Sequence, residues 1–164
     1  MWFFMYSCYL LTALSFVCML LLGLQGYVQM QVLGINHPAF ALLTAIIYLL
    51  TETLVMFFFV GTGVSVKEYS HENKLDPSYH QRSVSLKRRL YPPVLLNILL
   101  FMIAFITGGA VDTGKLPGFW HGMLFWFVFL HFVKTIVVQH RCFRANTAII
   151  LNMSNIPTEL EMNT

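Results

Sequence analysis

Glu52 is a carboxylate inside a long apolar segment, with Thr51 and Thr53 on either side of it. The segment covers residues 38–60 and is long enough to cross a bilayer as a helix. An ionisable side chain in hydrocarbon costs about 2.5 kcal/mol or more, and by default it indicates a functional site with a partner. The charged form is disfavoured there unless a cation neutralises it. We therefore expect a polar residue of another helix to lie close to Glu52.

His131, in the fourth apolar segment, is the expected partner of Glu52. We expect a structural hydrogen bond that fixes the helix register, which is worth about 0.6–2 kcal/mol in a membrane. A histidine and a buried carboxylate can also exchange protons near neutral pH, so a proton-handling or quinone-contacting pair is one alternative. Contact with another subunit is the other alternative.

A further pair of histidines, His37 and His121, matches in depth near the outer face. Histidines on two helices can hold a b-type haem between them. His131 has no transmembrane histidine at its own level, so at most one haem is expected. We favour the plainer interpretation, in which His37 is an interfacial residue before Pro38, and the sequence leaves the cofactor undetermined.

Composition predicts an integral membrane protein. The chain is 57% hydrophobic and only 10% charged, whereas soluble domains carry about 25% charged residues. The net charge of +3 comes from the loops, so it does not indicate nucleic-acid binding. The 3 cysteines form no C-x-x-C pair, which disfavours thiol-redox chemistry.

The pattern of apolar segments predicts an all-α fold of four transmembrane helices in an up-down antiparallel bundle, forming one domain over residues 1–164. A proline begins the second helix and two begin the third. The first segment lacks a cleavage site and is expected to be a retained helix. The expected helices cover residues 2–24, 38–62, 92–107 and 118–141, with a polar loop at 64–91 and a tail at 142–164 that first continues the last helix.

The distribution of basic residues predicts the orientation. Most of the 10 Lys and Arg residues lie in the 64–91 loop or after the fourth helix, and Lys115 is the one expected on the opposite side. The positive-inside rule therefore places the 64–91 loop and both termini in the cytoplasm. The expected location is a bacterial inner membrane or an equivalent energy-transducing membrane.

Counting helix rise places one polar residue of each helix at a similar depth. At about 1.5 Å per residue, each lies about 20 Å below the outer face. The predicted intramembrane polar layer consists of Glu52, His131, Asn97 and Thr12.

The preferred function is a small, non-catalytic subunit of a larger membrane complex that handles electrons or protons, as in a respiratory chain. The uncharged 26–37 segment and the aromatic fourth helix favour contacts with lipid, other membrane subunits and a quinone. One alternative is a stand-alone four-helix redox protein with one b-type haem or a quinone. The other is a small transporter or channel, which the lack of an internal repeat disfavours.

Overall fold

The computed structural model describes residues 2–28, 30–32 and 34–154. It contains four helices, α1 (Trp2–Val28), α2 (His37–Glu72), α3 (Ser78–Asp112) and α4 (Gly118–Met153). Each helix has a stretch that is long and apolar enough to cross a membrane. The expectation of an all-helical protein with four candidate membrane helices is confirmed.

Side-chain contacts show that neighbouring helices run in opposite directions. The following pairs join successive helices and then α4 to α1: Ser15–Thr51, Tyr48–Asn97, Thr107–His121 and Tyr9–His140. Ser15 and Thr51 meet near the middle of their helices, and Gln25 near the end of α1 donates to the Ile35 carbonyl oxygen just before α2. In each of the other three pairs, a residue nearer the start of one helix meets one nearer the end of the other. The chain therefore forms the predicted up-down bundle, in which α1 packs against both α2 and α4.

The polar segment 64–91 is not a loop, which corrects the expected boundaries. α2 continues to Glu72 and α3 begins at Ser78, so only residues 73–77 connect them. A helix of 36 residues, such as α2, is about 54 Å long, well beyond a hydrocarbon core of about 30 Å. We call the end of the bundle formed by 64–91 and 141–153 the basic end. The opposite end, formed by 26–28, 30–32, 34–37 and 108–121, is the histidine end.

Pro92 and Pro93 lie inside α3 and do not begin it. Each removes one backbone donor from the helix. Tertiary packing compensates, because Leu90 and Val94 on either side of the prolines are completely buried in an apolar cluster with Val55 and residues of α4. The burial of these flanking residues keeps α3 continuous through the two prolines.

The connection between α2 and α3 is a tight polar turn. Lys74 adopts a left-handed conformation with φ of 49°. The Ser78 backbone N–H donates to Asp76 Oδ1 at 2.9 Å, and this bond holds the pKa of the exposed Asp76 carboxyl below its ordinary value. The aspartate thereby caps the first turn of α3.

Aromatic residues of α4 face all round the helix, as the sequence indicates. Phe125, Phe129 and Phe132 are buried in the core of the histidine half of the bundle, whereas Phe119 and Phe127 are exposed. The exposed rings lie where a membrane protein contacts lipid or other membrane proteins.

Candidate functional site

A cavity of about 910 Å³ opens at the histidine end of the bundle. This volume is within the range of about 300–1,000 Å³ that is usual for ligand sites. All four helices contribute to its wall, and its polar and aromatic lining includes Gln25, His37, Phe101, Asp112, His121 and Phe125. The cavity is largely apolar with a few polar groups, as in sites for amphipathic cofactors.

The structure brings His37 and His121 together across this cavity. Their ring centroids are 6.5 Å apart and their planes are inclined by 81°. α2 presents His37 in its first turn, where Asn36 caps the helix by accepting from the Ala39 N–H at 3.1 Å. α4 presents His121 one turn after its start. The first turns of two helices thus fix the positions of both rings.

A threonine on α3 sets the tautomer of His121. The Thr107 hydroxyl donates its single hydrogen to the Ala104 carbonyl oxygen at 2.8 Å. The same oxygen lies 3.1 Å from His121 Nδ1, and while the hydroxyl donates to Ala104 it accepts a hydrogen from that nitrogen. His121 Nε2 then carries a lone pair, which is the form that binds a metal.

His37 has a buried ring nitrogen that makes no hydrogen bond to the described residues. Its Nδ1 atom has no hydrogen-bond partner among the described residues. A buried polar atom without a partner costs about 1–3 kcal/mol, so such an atom in a cavity indicates a place for a ligand or water.

Glycines keep space around both rings. A Cβ atom at Gly108 would lie 3.2 Å from His121 Cε1, and one at Gly26 would lie 3.5 Å from His37 Cε1. At Gly122 a Cβ would lie 2.8 Å from the Tyr27 hydroxyl oxygen. A side chain at Gly108 would press on the His121 ring, and one at Gly122 would displace the Tyr27 hydroxyl, so glycine at these positions accommodates both rings as they stand.

A separate polar network lies deeper in the bundle. Asn97 Nδ2 donates to the Tyr48 hydroxyl oxygen at 2.7 Å, and Asn97 Oδ1 accepts from His131 Nδ1 at 2.7 Å. Asn97 and Tyr48 are completely buried, while His131 is half-buried. The three side chains tie α2, α3 and α4 together at one level.

The expected pairing of Glu52 with His131 is wrong. Glu52 Oε2 instead accepts from Gln139 Nε2 at 2.7 Å, closer to the basic end, while His131 is bonded to Asn97. Thr12 is buried, but the hydroxyl of α1 that reaches α2 is that of Ser15, 2.8 Å from Thr51 Oγ1. The predicted layer is thus two sets of contacts about one helical turn apart.

Three residues that bond the predicted site residues were not predicted from the sequence, namely Tyr48, Thr107 and Gln139. Two of them carried a signal in the sequence. Tyr48 precedes Glu52 by one helical turn and therefore shares its face. Gln139 continues the buried stripe of α4 that begins with Phe125 and Phe132. Nothing in the sequence distinguishes Thr107 from the other hydroxyls near the helix ends.

No group of three or more His, Cys, Asp or Glu residues in the described ranges could hold a metal ion. A pair of imidazoles alone is too few for a structural zinc ion, which takes four ligands. Comparisons with known protein families, with curated proteins and with solved structures give no match.

Proposed function

We propose that the protein is a four-helix membrane electron-transfer protein that holds one b-type haem between His37 and His121. The observation that carries this proposal is the pair of histidine rings, 6.5 Å apart, in the wall of a cavity of suitable size. Two imidazoles on opposite sides of one metal ion, each bonded at about 2 Å, would have their ring centroids about 6 Å apart. The separation of 6.5 Å is close to that value.

The ligand set fits a haem better than a bare metal ion. Haem supplies four nitrogen ligands to its iron and needs two from the protein, which matches the two histidines. The Thr107 contact leaves His121 Nε2 free to bind, and the unpartnered His37 Nδ1 shows that its ring is not committed elsewhere in the described part of the chain. A bound haem would provide one-electron redox chemistry. The chain would orient it and exclude water.

The orientation belongs to the same proposal. The helices project beyond a bilayer at the basic end, which carries most of the Lys and Arg residues. Under the positive-inside rule this end is cytoplasmic in a bacterial inner membrane or an equivalent energy-transducing membrane. The haem cavity would then lie near the outer surface, within reach of an external electron donor or acceptor.

A second candidate is a subunit of a larger electron- or proton-handling complex, with a quinone in the same cavity. Its support is the unequal burial of the helices. Only 22% and 28% of the apolar stretches of α3 and α4 are buried, against 39% and 44% for α1 and α2. The exposed surface of α3 and α4 is therefore where further membrane subunits would pack.

The test is an absorption spectrum of the protein purified gently from haem-sufficient cells. We expect a Soret band and a reduced-minus-oxidised spectrum of the b type, both lost in His37→Ala and His121→Ala. His140→Ala is the matched control, because its ring is exposed and bonds Tyr9 far from the cavity. Folded protein without haem would contradict the haem proposal, and co-purification of a quinone with larger partners would favour the second candidate.

A further inference from the structure

Glu52 lies in the interior of the bundle with one carboxyl oxygen unpartnered. Its side chain has 0% exposure, and Oε2 accepts from Gln139 Nε2 at 2.7 Å. Oε1 has no hydrogen-bond partner within the described ranges. Neither oxygen is therefore in contact with a Lys, Arg or His side chain in that part of the chain. The carboxyl group is held by an amide alone.

Gln139 also has a buried oxygen without a hydrogen-bond partner among the described residues. Its exposure is 2%, and its Oε1 atom is also buried without a partner in the portion of the chain that the structure describes. Both unpartnered atoms are oxygens. The Gln139 amide oxygen can only accept a hydrogen bond, and the Glu52 oxygen can only accept one when the carboxyl group is ionised. The two side chains together thus lack a single hydrogen. A proton on Glu52 Oε1 would supply it.

We propose that Glu52 and Gln139 form a proton-binding site, in which Glu52 is a neutral carboxylic acid whose Oε1–H donates to Gln139 Oε1. The carboxyl and amide groups then complement each other through one N–H···O and one O–H···O bond. Moving an isolated carboxylate out of water is far more costly than moving a neutral, hydrogen-bonded acid. The proton therefore satisfies both buried oxygens and removes the charge.

The surroundings support a neutral acid. On the side of α1, Cys8 is completely buried, and the α3 segment from 90 to 111 contains no charged residue. Within the membrane part of the bundle, the nearby titratable side chains of the described chain are neutral, bonded to other groups or exposed: Cys8, Tyr9, Tyr48, Tyr91, His131, Lys134 and Cys142. None of these provides a buried cation for Glu52.

A proton fits this site better than a metal cation does. A hard cation is bound by several oxygens, usually six or more. Here the described side chains offer two open oxygens, and the third, Glu52 Oε2, already faces an N–H donor. That donor would repel a cation placed between the two groups. A sodium ion is nevertheless the competing occupant, and the experiment distinguishes it.

The experiment is infrared difference spectroscopy of the full chain in lipid nanodiscs at pH 7. Wild type minus Glu52→Gln isolates the Glu52 signal, because glutamine can keep the paired geometry with Gln139 as an amide–amide pair. We expect the carbonyl stretch of a protonated carboxylic acid in this difference spectrum. Gln139→Leu should shift that stretch to higher wavenumber, because its hydrogen bond is lost.

Carboxylate stretches in place of the acid band at pH 7 would overturn the proposal. So would an acid band that sodium chloride removes and choline chloride does not, because Glu52 would then bind a cation. If either variant fails to fold, wild type labelled with ¹³C-glutamate and measured from pH 6 to alkaline pH gives the same decision. Under the proposal, an acid band shifted by the label is present at pH 7 and disappears at higher pH.

Discussion

Asn97→Leu should destabilise the bundle, because this side chain bridges three helices. Leucine has the same number of side-chain heavy atoms and the same branch point as asparagine, so the change removes the hydrogen bonds and leaves no cavity, although its methyl groups are larger than the amide atoms. Asn97 donates to Tyr48 and accepts from His131, both at 2.7 Å. Both contacts would be lost at once.

The expected cost follows from these two bonds and the burial of their partners. A side-chain hydrogen bond between membrane helices contributes about 0.6 kcal/mol on average and about 1.7 at most, so two give about 1–3 kcal/mol. Tyr48 has 0% exposure and would keep a buried hydroxyl without its amide partner, whereas half-buried His131 can find another partner more easily. We therefore expect the upper part of that range, about 2–3 kcal/mol.

Reversible unfolding in mixed micelles, with a double-mutant cycle, measures this effect. Tyr48→Phe alone should destabilise the protein, but in the Asn97→Leu background it should cost nothing or restore some stability, because it removes the orphaned hydroxyl. The expected coupling free energy is about 1 kcal/mol. Leu99→Ala, at an exposed position of the same helix, is the control and should change stability by less than about 0.5 kcal/mol. A coupling free energy of zero, with Asn97→Leu as stable as wild type, would refute the reasoning.

Three further predictions concern topology, the α2–α3 turn and the Glu52 site. A cysteine at Ser78 should react with impermeant reagents only from the cytoplasmic side, and one at Thr113 only from outside. The background should be low because the native cysteines are buried. Labelling of the Ser78 position in intact cells would show that the orientation is the reverse of the proposed one. The hydrogen bonds that Asp76 accepts from Ser78 lower the pKa of the Asp76 carboxyl group, so the amides in the first turn of α3 should be protected from exchange at neutral pH and lose that protection as the pH falls through this lowered pKa. Asp76→Ala should abolish the pH dependence. Asn146→Leu should slow hydrogen–deuterium exchange of the Glu52 carboxyl group, because Asn146, whose Nδ2 is buried without a described partner, lies on the same α4 stripe within the basic end, from which a proton from water would reach Gln139; an unchanged exchange rate would exclude proton entry past Asn146.

The four helices were predictable because the thickness of a membrane is a strong constraint on apolar segments, whereas proline position gave the right start for α2 and the wrong one for α3. Each apolar segment could only be a helix in hydrocarbon, and the short glycine-rich turn before the fourth helix forced the third and fourth helices to be antiparallel neighbours. The helical extensions beyond the bilayer were not predictable in this way. Residues 64–72 and 78–91 are polar, so hydropathy gives no signal for them, and their helices are continuations of α2 and α3. Buried Val66 and Ser83 show that packing holds these extensions in place.

The level of the two histidines could be predicted from the sequence, but the cavity between them and the Thr107 contact could not. Depth counting is enough to suggest that His37 and His121 lie at one level, because both occupy first turns near the same surface. It gives no information on the cavity between them, which depends on glycines at 26 and 108 and on helix separation. The tautomer of His121 depends on a single hydroxyl rotor, and only coordinates identify its two partners.

The mistaken partner of Glu52 has a geometric cause. His131 and Gln139 are about 12 Å apart along α4 and about 80° apart around it. His131 consequently faces Asn97 on α3, and Gln139 faces Glu52 on α2. Aligning α2 and α4 by their first residues placed Glu52 beside residue 132, whereas the contacts of His37 with His121 and of Phe58 with Phe143 show that α4 is displaced by about one turn. This displacement of one turn, about 5.4 Å, and the different directions of the two side chains around α4 together place an amide where a histidine was expected. That replacement changes the interpretation of Glu52 from a structural hydrogen bond with an imidazole to the proposed proton-binding site with a glutamine.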